Sequence, residues 1–304
     1  MNQNGHIWFD DLERPIQAHG GMILESQGRY YWYGENKDAS NFGHNQRQVP
    51  FVGISCYSSS DLKVWHYEGL VLNENSDLEG RINRTSVVER PKVVFNRQTQ
   101  MFVMWCHFDD AAYHFAGCCV AIADCPTGPF KVVDILRPNG KESRDMTLFQ
   151  NEKKAYLIHS SDMNKTIYFS ELTEDYLNTT GFMTKAFVDQ EREAPTIFQH
   201  DDWFFMITSG CTGWHPNPAL FSRSHFLLSG QKLIDNPCQG VGRKTTYDGQ
   251  PTYVLEVDQH SYLMLDHWHP DDLRSSGYSI LPIETNGRDL RIPWVEIPFG
   301  GQVN

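Results

Sequence analysis

Glu89-Arg90-Pro91-Lys92-Val93-Val94-Phe95 sets a polar doublet ahead of an apolar, β-prone run, and the same phrase returns through the chain. It is heard in Ala18-His19-Gly20-Gly21-Met22-Ile23-Leu24, Ser143-Arg144-Asp145-Met146-Thr147-Leu148-Phe149, Arg192-Glu193-Ala194-Pro195-Thr196-Ile197-Phe198 and Gly249-Gln250-Pro251-Thr252-Tyr253-Val254. About a dozen residues after each comes an aromatic-rich partner such as Tyr30-Tyr31-Trp32-Tyr33, Phe102-Val103-Met104-Trp105 or Trp203-Phe204-Phe205-Met206. Turn formers such as Gln27-Gly28 and Asp258-Gln259 lie between, so each copy reads as a β-hairpin. Third and fourth strands follow, clearest where Val52 to Tyr57 leads into Val64-Trp65-His66-Tyr67. A four-stranded unit recurring every 50 to 70 residues or so is the arithmetic of a propeller blade, because radial packing buries both faces of each sheet. The expectation is an all-β, five-bladed β-propeller spanning 1–304 as one domain; a β-sandwich is the alternative. Helical periodicity is nowhere sustained, and no linker divides the chain.

Composition narrows the function. The 304 residues carry 26 Lys and Arg against 38 Asp and Glu, a formal charge of −12 that argues against a nucleic-acid partner. No apolar run approaches the ~18 residues needed to span a bilayer, so no membrane partner is expected. Met1 to Asp10 lacks the basic and apolar parts of a signal peptide, which reads as cytoplasmic; a secreted or periplasmic protein would have lost a leader. Seven cysteines without a C-x-x-C pair read as reduced thiols, mostly buried.

In a propeller the innermost strand of every blade begins near the axis, so the residues opening the five phrases should converge. They are Gly20 or Gly21, Glu89, Asp145, Glu193 and Gln250. Clustered carboxylates cost desolvation and mutual repulsion unless they serve a site, and such a cluster holds one carboxyl protonated near neutral pH. Paired acids among aromatics point to glycosidic bond cleavage. The alternative is a structural charge ring with Arg90, Arg144 and Arg192. Against it, adjacent strand residues point to opposite faces, which keeps each arginine from its own neighbour.

These phrases, with Trp32-Tyr33-Gly34-Glu35 and Thr208-Ser209-Gly210-Cys211-Thr212-Gly213-Trp214, resemble glycoside hydrolase family 43, and within it the exo-β-1,3-galactanase branch. The resemblance runs through all five copies. It implies an inverting mechanism, exo action on a carbohydrate substrate such as a galactan or arabinogalactan oligosaccharide, and no organic cofactor; it allows a structural calcium ion in the axial channel. Glu193 matches the general acid and Asp145 the carboxylate that raises its pKa. The usual Asp base of the first blade is replaced within His19-Gly20-Gly21. In the galactanase branch Gln250 corresponds to a glutamine that holds the attacking water, and Glu89 to an acid deep in the sugar pocket. Acid and water-holding group are expected about 6.5–9.5 Å apart.

The resemblance also implies contacts to the terminal sugar from Glu35, Tyr113, Asn164 and Thr212, with Trp214 stacking on a sugar face. A solvated strand end is the alternative for Glu35, a turn for Asn164 and blade packing for Trp214. His267-Trp268-His269 could present two imidazoles to a metal, but no third ligand is signalled. Cys211 lacks the paired histidine that a nucleophile needs. Other specificities remain open on these residues: an α-L-arabinofuranosidase, a β-D-galactofuranosidase, a fructan-active hydrolase, or a carbohydrate-binding propeller without catalysis.

Overall fold

A computed structural model describes residues 2–42, 48–152 and 154–301. Its strands form five antiparallel four-stranded sheets, each built from consecutive strands. Blade one is β1 (His19–Ser26), β2 (Arg29–Glu35), β3 (Ile54–Ser59) and β4 (His66–Leu72); blade two is β5 (Val87–Asn96), β6 (Met101–Asp109), β7 (Gly117–Ala123) and β8 (Lys131–Leu136). Blade three is β9 (Met146–Gln150), β10 (Ala155–Ser161), β11 (Thr166–Leu172) and β12 (Thr179–Ala186); blade four is β13 (Arg192–His200), β14 (Trp203–Gly210), β15 (Leu220–Ser224) and β16 (Lys232–Asp235). Blade five is β17 (Gln250–Val257), β18 (His260–His267), β19 (Gly277–Thr285) and β20 (Leu290–Arg291). This is a five-bladed β-propeller, as the repeat predicts. No helix among the described residues is long and apolar enough to cross a membrane.

Strand alternation explains the ring. Met22 and Ile23 are neighbours in β1, yet Met22 packs toward blade two and Ile23 toward blade five. Val93 and Val94 likewise face blades one and three, and Phe205 and Met206 face blades five and three. Each seam between successive blades is thus filled by one apolar cluster, the period-two pattern of a strand buried on both faces. The seam between blades five and one is the most aromatic, with Trp8, Trp32, Trp65, Tyr262 and Tyr278 all buried. Residues before β1 latch it: the Asn4 amide bonds the backbone of Ile280 in both directions, at 3.2 Å and 2.9 Å, and Tyr278 Oη accepts from Ala18 N at 2.9 Å.

The inner strands β1, β5, β9, β13 and β17 contact one another in sequence around the axis. Four of them slip register where the site residue sits, between His19 and Met22, Glu89 and Lys92, Glu193 and Thr196, and Pro251 and Tyr253. At these bulges Gly20, Arg90 and Ala194 take positive φ of 60°, 56° and 50°. A bulge re-aims side chains, so strict alternation fails at the strand mouths. It leaves Arg90 as well as Glu89 at the cavity. The two readings of the charges are therefore both realised in part: Arg90 ignores its own neighbour and pairs with Asp145 of the next blade, at 3.0 Å.

Candidate active site

The inner-strand mouths enclose a cavity of about 570 Å³, lined by Glu35, Lys37, Glu89, Arg90, His107, Tyr113, Asp145, Asn164, Glu193, Trp214, Gln250 and Trp268 among others. Arg90 is its hub. The guanidinium donates to both Asp145 oxygens, at 3.1 Å and 3.0 Å, to Gln250 Oε1 at 2.6 Å and to the Pro251 carbonyl at 2.9 Å, while its backbone N–H donates to Glu35 Oε1 at 3.0 Å. One side chain therefore ties blades two, three and five, and its backbone adds blade one. Five fixed donors on a plane make this geometry specific to arginine.

Glu193, like the buried Glu35, is a cavity carboxyl held above its ordinary pKa. Burial pushes it up, the Asp145 charge pushes further, and Arg90 only partly opposes them, leaving it at about 8. Asp145 is held beside it by the Ala194 N–H, at 3.1 Å. Gln250 Nε2 donates to Glu193 Oε1 at 3.2 Å and to Ser209 Oγ at 3.3 Å, and Gln250 Oε1 accepts from Trp268 Nε1 at 3.1 Å besides Arg90. An amide has two donors and two acceptor sites, so all of Gln250's are engaged. The separation expected between acid and water-holding group is not found here: the two side chains are in direct contact. A tautomer with its proton on Oε1 would set that proton against the Arg90 and Trp268 donors.

Across the cavity Glu89 behaves oppositely. Burial works against its charge, but the His107 hydrogen bond and the Lys37 ammonium outweigh it and hold the pKa at about 2. His107 bridges Glu89 at 3.3 Å and Asp109 at 3.5 Å, and these carboxylates overcome burial to raise its pKa to about 9. Lys37 lies 2.6 Å from Glu35 and 3.9 Å from Glu89. Glu35 also explains the glycine of blade one. A Cβ on Gly20 would collide with Glu35 Oε1, so the second strand fills the place that a side chain on the first would occupy.

Of the predicted sugar contacts, Glu35, Tyr113, Asn164 and Trp214 line the cavity. Both Glu35 oxygens are already engaged by Arg90 and Lys37, whereas Asn164 Oδ1 is buried with no partner, ready to accept a hydroxyl proton. Thr212 is a correction. It is exposed, lies outside the cavity lining, and its hydroxyl donates to the His215 carbonyl while accepting from Asn217 at 2.8 Å, so it braces the loop that presents Trp214. Sequence reasoning misses Lys37, His107 and Trp268 as site residues; Trp268 sits between the two histidines that carry the metal reading. Burial and then the Glu193 charge push the Cys211 thiol up to about 12, the reverse of an activated nucleophile. Five of the seven free cysteines are buried, and Cys125 and Cys211 are exposed.

A calcium ion needs several oxygen ligands. Among the described residues no group of three or more His, Cys, Asp or Glu is arranged to hold a metal. Beneath the cavity the buried Lys92 ammonium donates to the Gly20 carbonyl at 2.9 Å and faces the Arg90 carbonyl at 3.4 Å. Burial, then the Arg90 charge, lower its pKa to about 7. Those two carbonyls are thus met by Lys92.

A carboxyl of raised pKa and a carboxylate of lowered pKa facing one funnel are the equipment that glycosidic bond cleavage uses. The chain belongs to glycosyl hydrolases family 43, whose model matches residues 15–229. It is 34% identical to a family 43 β-1,3-galactosidase solved with galactodeoxynojirimycin, covering 97% of this chain and 99% of that one at a TM-score of 0.91. It is also 34% identical to the exo-β-1,3-galactanase 1,3Gal43A from Clostridium thermocellum, covering 96% of this chain but 65% of that one, with a TM-score of 0.87. An exo-β-1,3-galactanase from Phanerochaete chrysosporium, solved with β-1,3-galactotriose, is 32% identical over 96% of this chain and 67% of that one, with a TM-score of 0.85. Among curated proteins none matches.

Proposed function

We propose that this hydrolase acts from the non-reducing end of β-1,3-galactan oligosaccharides, such as pieces of an arabinogalactan backbone, and releases galactose with inversion. The observation that carries the reading is that Glu193, buried against the Arg90–Asp145 pair, and Glu89 line one cavity, with burial and Asp145 pushing Glu193 up and His107 and Lys37 holding Glu89 down. Protonated Glu193 donates to the glycosidic oxygen as the bond to C1 breaks. A water attacks C1 from the opposite face and gives up its proton to a carboxylate, so a β-linkage yields α-galactose. Asp145 keeps the acid protonated, and Arg90 keeps Asp145 in place.

In this arrangement the basic group is Glu89. It borders the cavity as a carboxylate held by His107, Tyr113 and Lys37, whereas Gln250 is an amide, no base at neutral pH, with its donors and acceptors all met by protein groups. Gln250 positions the acid. Tyr113, 3.4 Å from Glu89, and Asn164 meet sugar hydroxyls. Support for the sugar comes from the relatives solved with galactodeoxynojirimycin and β-1,3-galactotriose.

The test incubates the protein with β-1,3-galactobiose and galactotriose beside aryl arabinofuranoside and galactofuranoside, following the first-formed anomer by NMR. Galactose appearing first as the α-anomer is the expected result. Turnover of a furanoside alone would move the specificity elsewhere in the family, and binding without turnover would leave a sugar-binding propeller.

A further inference from the structure

Two of the four register slips lie on strands that touch at the axis, β1 and β5. In β5, Arg90 and Pro91 together stand opposite the single Cys106 of β6; in β1, Gly20 and Gly21 stand opposite Gly34 of β2. A two-for-one bulge disrupts the ladder locally, and buried backbone groups left without a ladder partner need another. Both bulges solve this in the same way. The Arg90 N–H donates to Glu35 Oε1 at 3.0 Å and the Gly20 N–H to Asp266 Oδ2 at 2.7 Å, while their carbonyls share one side chain, Lys92, at 3.4 Å and 2.9 Å. From this we infer that Lys92 is a positioning residue for the hydrolytic site: by holding both bulges it aims the Arg90 fork at Asp145 and Gln250.

Burial is the first argument. Lys92 is completely buried, where an ammonium is destabilising unless its donors are met. A methionine of similar length would fill the same space without that cost, but it would leave two buried carbonyls without a donor. Burial and the Arg90 charge press Lys92 toward the neutral amine, against the pull of Cys106, Glu35 and Asp145. An ammonium has three donors; the amine keeps two, one for each carbonyl, so the clamp holds in either form.

Leverage is the second. Arg90 holds a φ of 56°, a region that non-glycine residues seldom occupy, so its backbone is kept there by its neighbours rather than by its own preference. Turning that backbone would swing the guanidinium, whose contacts to Asp145, Gln250 and the Pro251 carbonyl all lie between 2.6 Å and 3.1 Å. A fork set against three fixed partners tolerates little misplacement. Lys92 is not among the residues lining the cavity, and its effect on the chemistry passes through Arg90. The inference rests on the hydrolytic reading in one respect, that the Arg90–Asp145 pair serves the acid Glu193.

The test is a double-mutant cycle read in kcat on β-1,3-galactotriose, with thermal melting to report folding. Lys92→Met should lower kcat by about tenfold or more. It should also move the alkaline limb to higher pH, because a loosened Arg90 opposes the raised pKa of Glu193 less. Added to Arg90→Lys, which already lacks the fork, it should deepen the loss by less than about threefold. Lys92→Gln, neutral but still a donor, should recover part of both effects, and it takes the place of methionine in the cycle if that variant does not fold. Unaltered kcat, an unmoved limb, losses that multiply in the double variant, or a glutamine variant no better than methionine overturns the inference. So does failure of both variants to fold, which would leave Lys92 a residue of the fold alone. Wild type that binds galactotriose without releasing galactose sinks the hydrolytic reading; the cycle then runs in calorimetric affinity, where coupling upholds the clamp and additivity overturns it. Absence of turnover and binding alike ends both.

Discussion

Arg90 grips Asp145 through two parallel N–H donors, at 3.1 Å and 3.0 Å, from a bulge that gives the arginine a φ of 56°. The Asp145 charge raises the Glu193 pKa and the Arg90 charge partly opposes it, while Arg90 adds only a lesser pull on Glu89 beside those of His107 and Lys37. Lysine cannot reproduce the fork. Arg90→Lys should lower kcat by about 100-fold or more, on the scale of a lost catalytic donor, while circular dichroism still reports a folded propeller. Near-wild-type kcat would show that charge alone suffices.

The pH profile follows from Glu193. Its pKa of about 8 lies above the ordinary carboxyl value, so the acid is protonated below that pH and lost above it. The ionised partner Glu89, at about 2, deprotonates far lower. In kcat/KM the expected profile is a broad plateau with an alkaline limb near 8, falling tenfold per pH unit. Asp145→Asn removes one of the causes raising Glu193 and frees Arg90 to act on it, so the limb should move to lower pH. A limb that stays in place would remove Asp145 from the acid's control.

Glu193→Gln keeps the shape and removes the proton. A loss of about 100- to 10,000-fold in kcat is expected, with galactotriose binding retained by calorimetry. Unaltered turnover would mean that the leaving oxygen is protonated elsewhere.

The base separates from the positioning amide by chemical rescue. Glu89→Ala removes the carboxylate, and azide should restore part of the turnover by attacking C1 itself. Gln250→Ala leaves Glu89 intact, so azide should do little, and its damage should appear as a displaced alkaline limb. Azide rescue of the Gln250 variant alone would hand water activation back to the amide.

Gly20→Asp puts a carboxylate within His19-Gly20-Gly21, the stretch where the family resemblance implies that other members carry a base. The new side chain would meet Glu35 Oε1 at a positive φ of 60°, in a backbone region that favours glycine. Activity should fall rather than rise, with a lower melting temperature. A gain in kcat would show that Glu35 can yield the space.

Much of this is legible in the chain because repetition carries it. Five phrases at matching positions reveal five blades, and the residue opening each phrase marks the axis. Glu89, Asp145, Glu193 and Gln250 line one cavity for that reason. What period-two reasoning cannot reveal is the bulge. It predicts Arg90 on the face away from Glu89, whereas the register slip between Glu89 and Lys92 leaves both at the cavity. Lys37 and His107 are hidden differently, since each matters through partners on another strand or blade. Thr212 shows the converse: a hydroxyl beside a glycine-rich turn satisfies its own loop, and nothing local to the sequence separates that from a sugar contact.

The Asn4 latch on Ile280 joins residues 276 positions apart. A ribosome delivers one long before the other, so early blades emerge with an apolar flank that has no partner until blade five arrives. The catalytic funnel draws side chains from several blades at once and has no working fragment. Activity should therefore appear in a nascent chain all at once, after release of the fifth blade, and nicked or truncated products that lose either side of the latch should be clients for chaperones rather than weak enzymes.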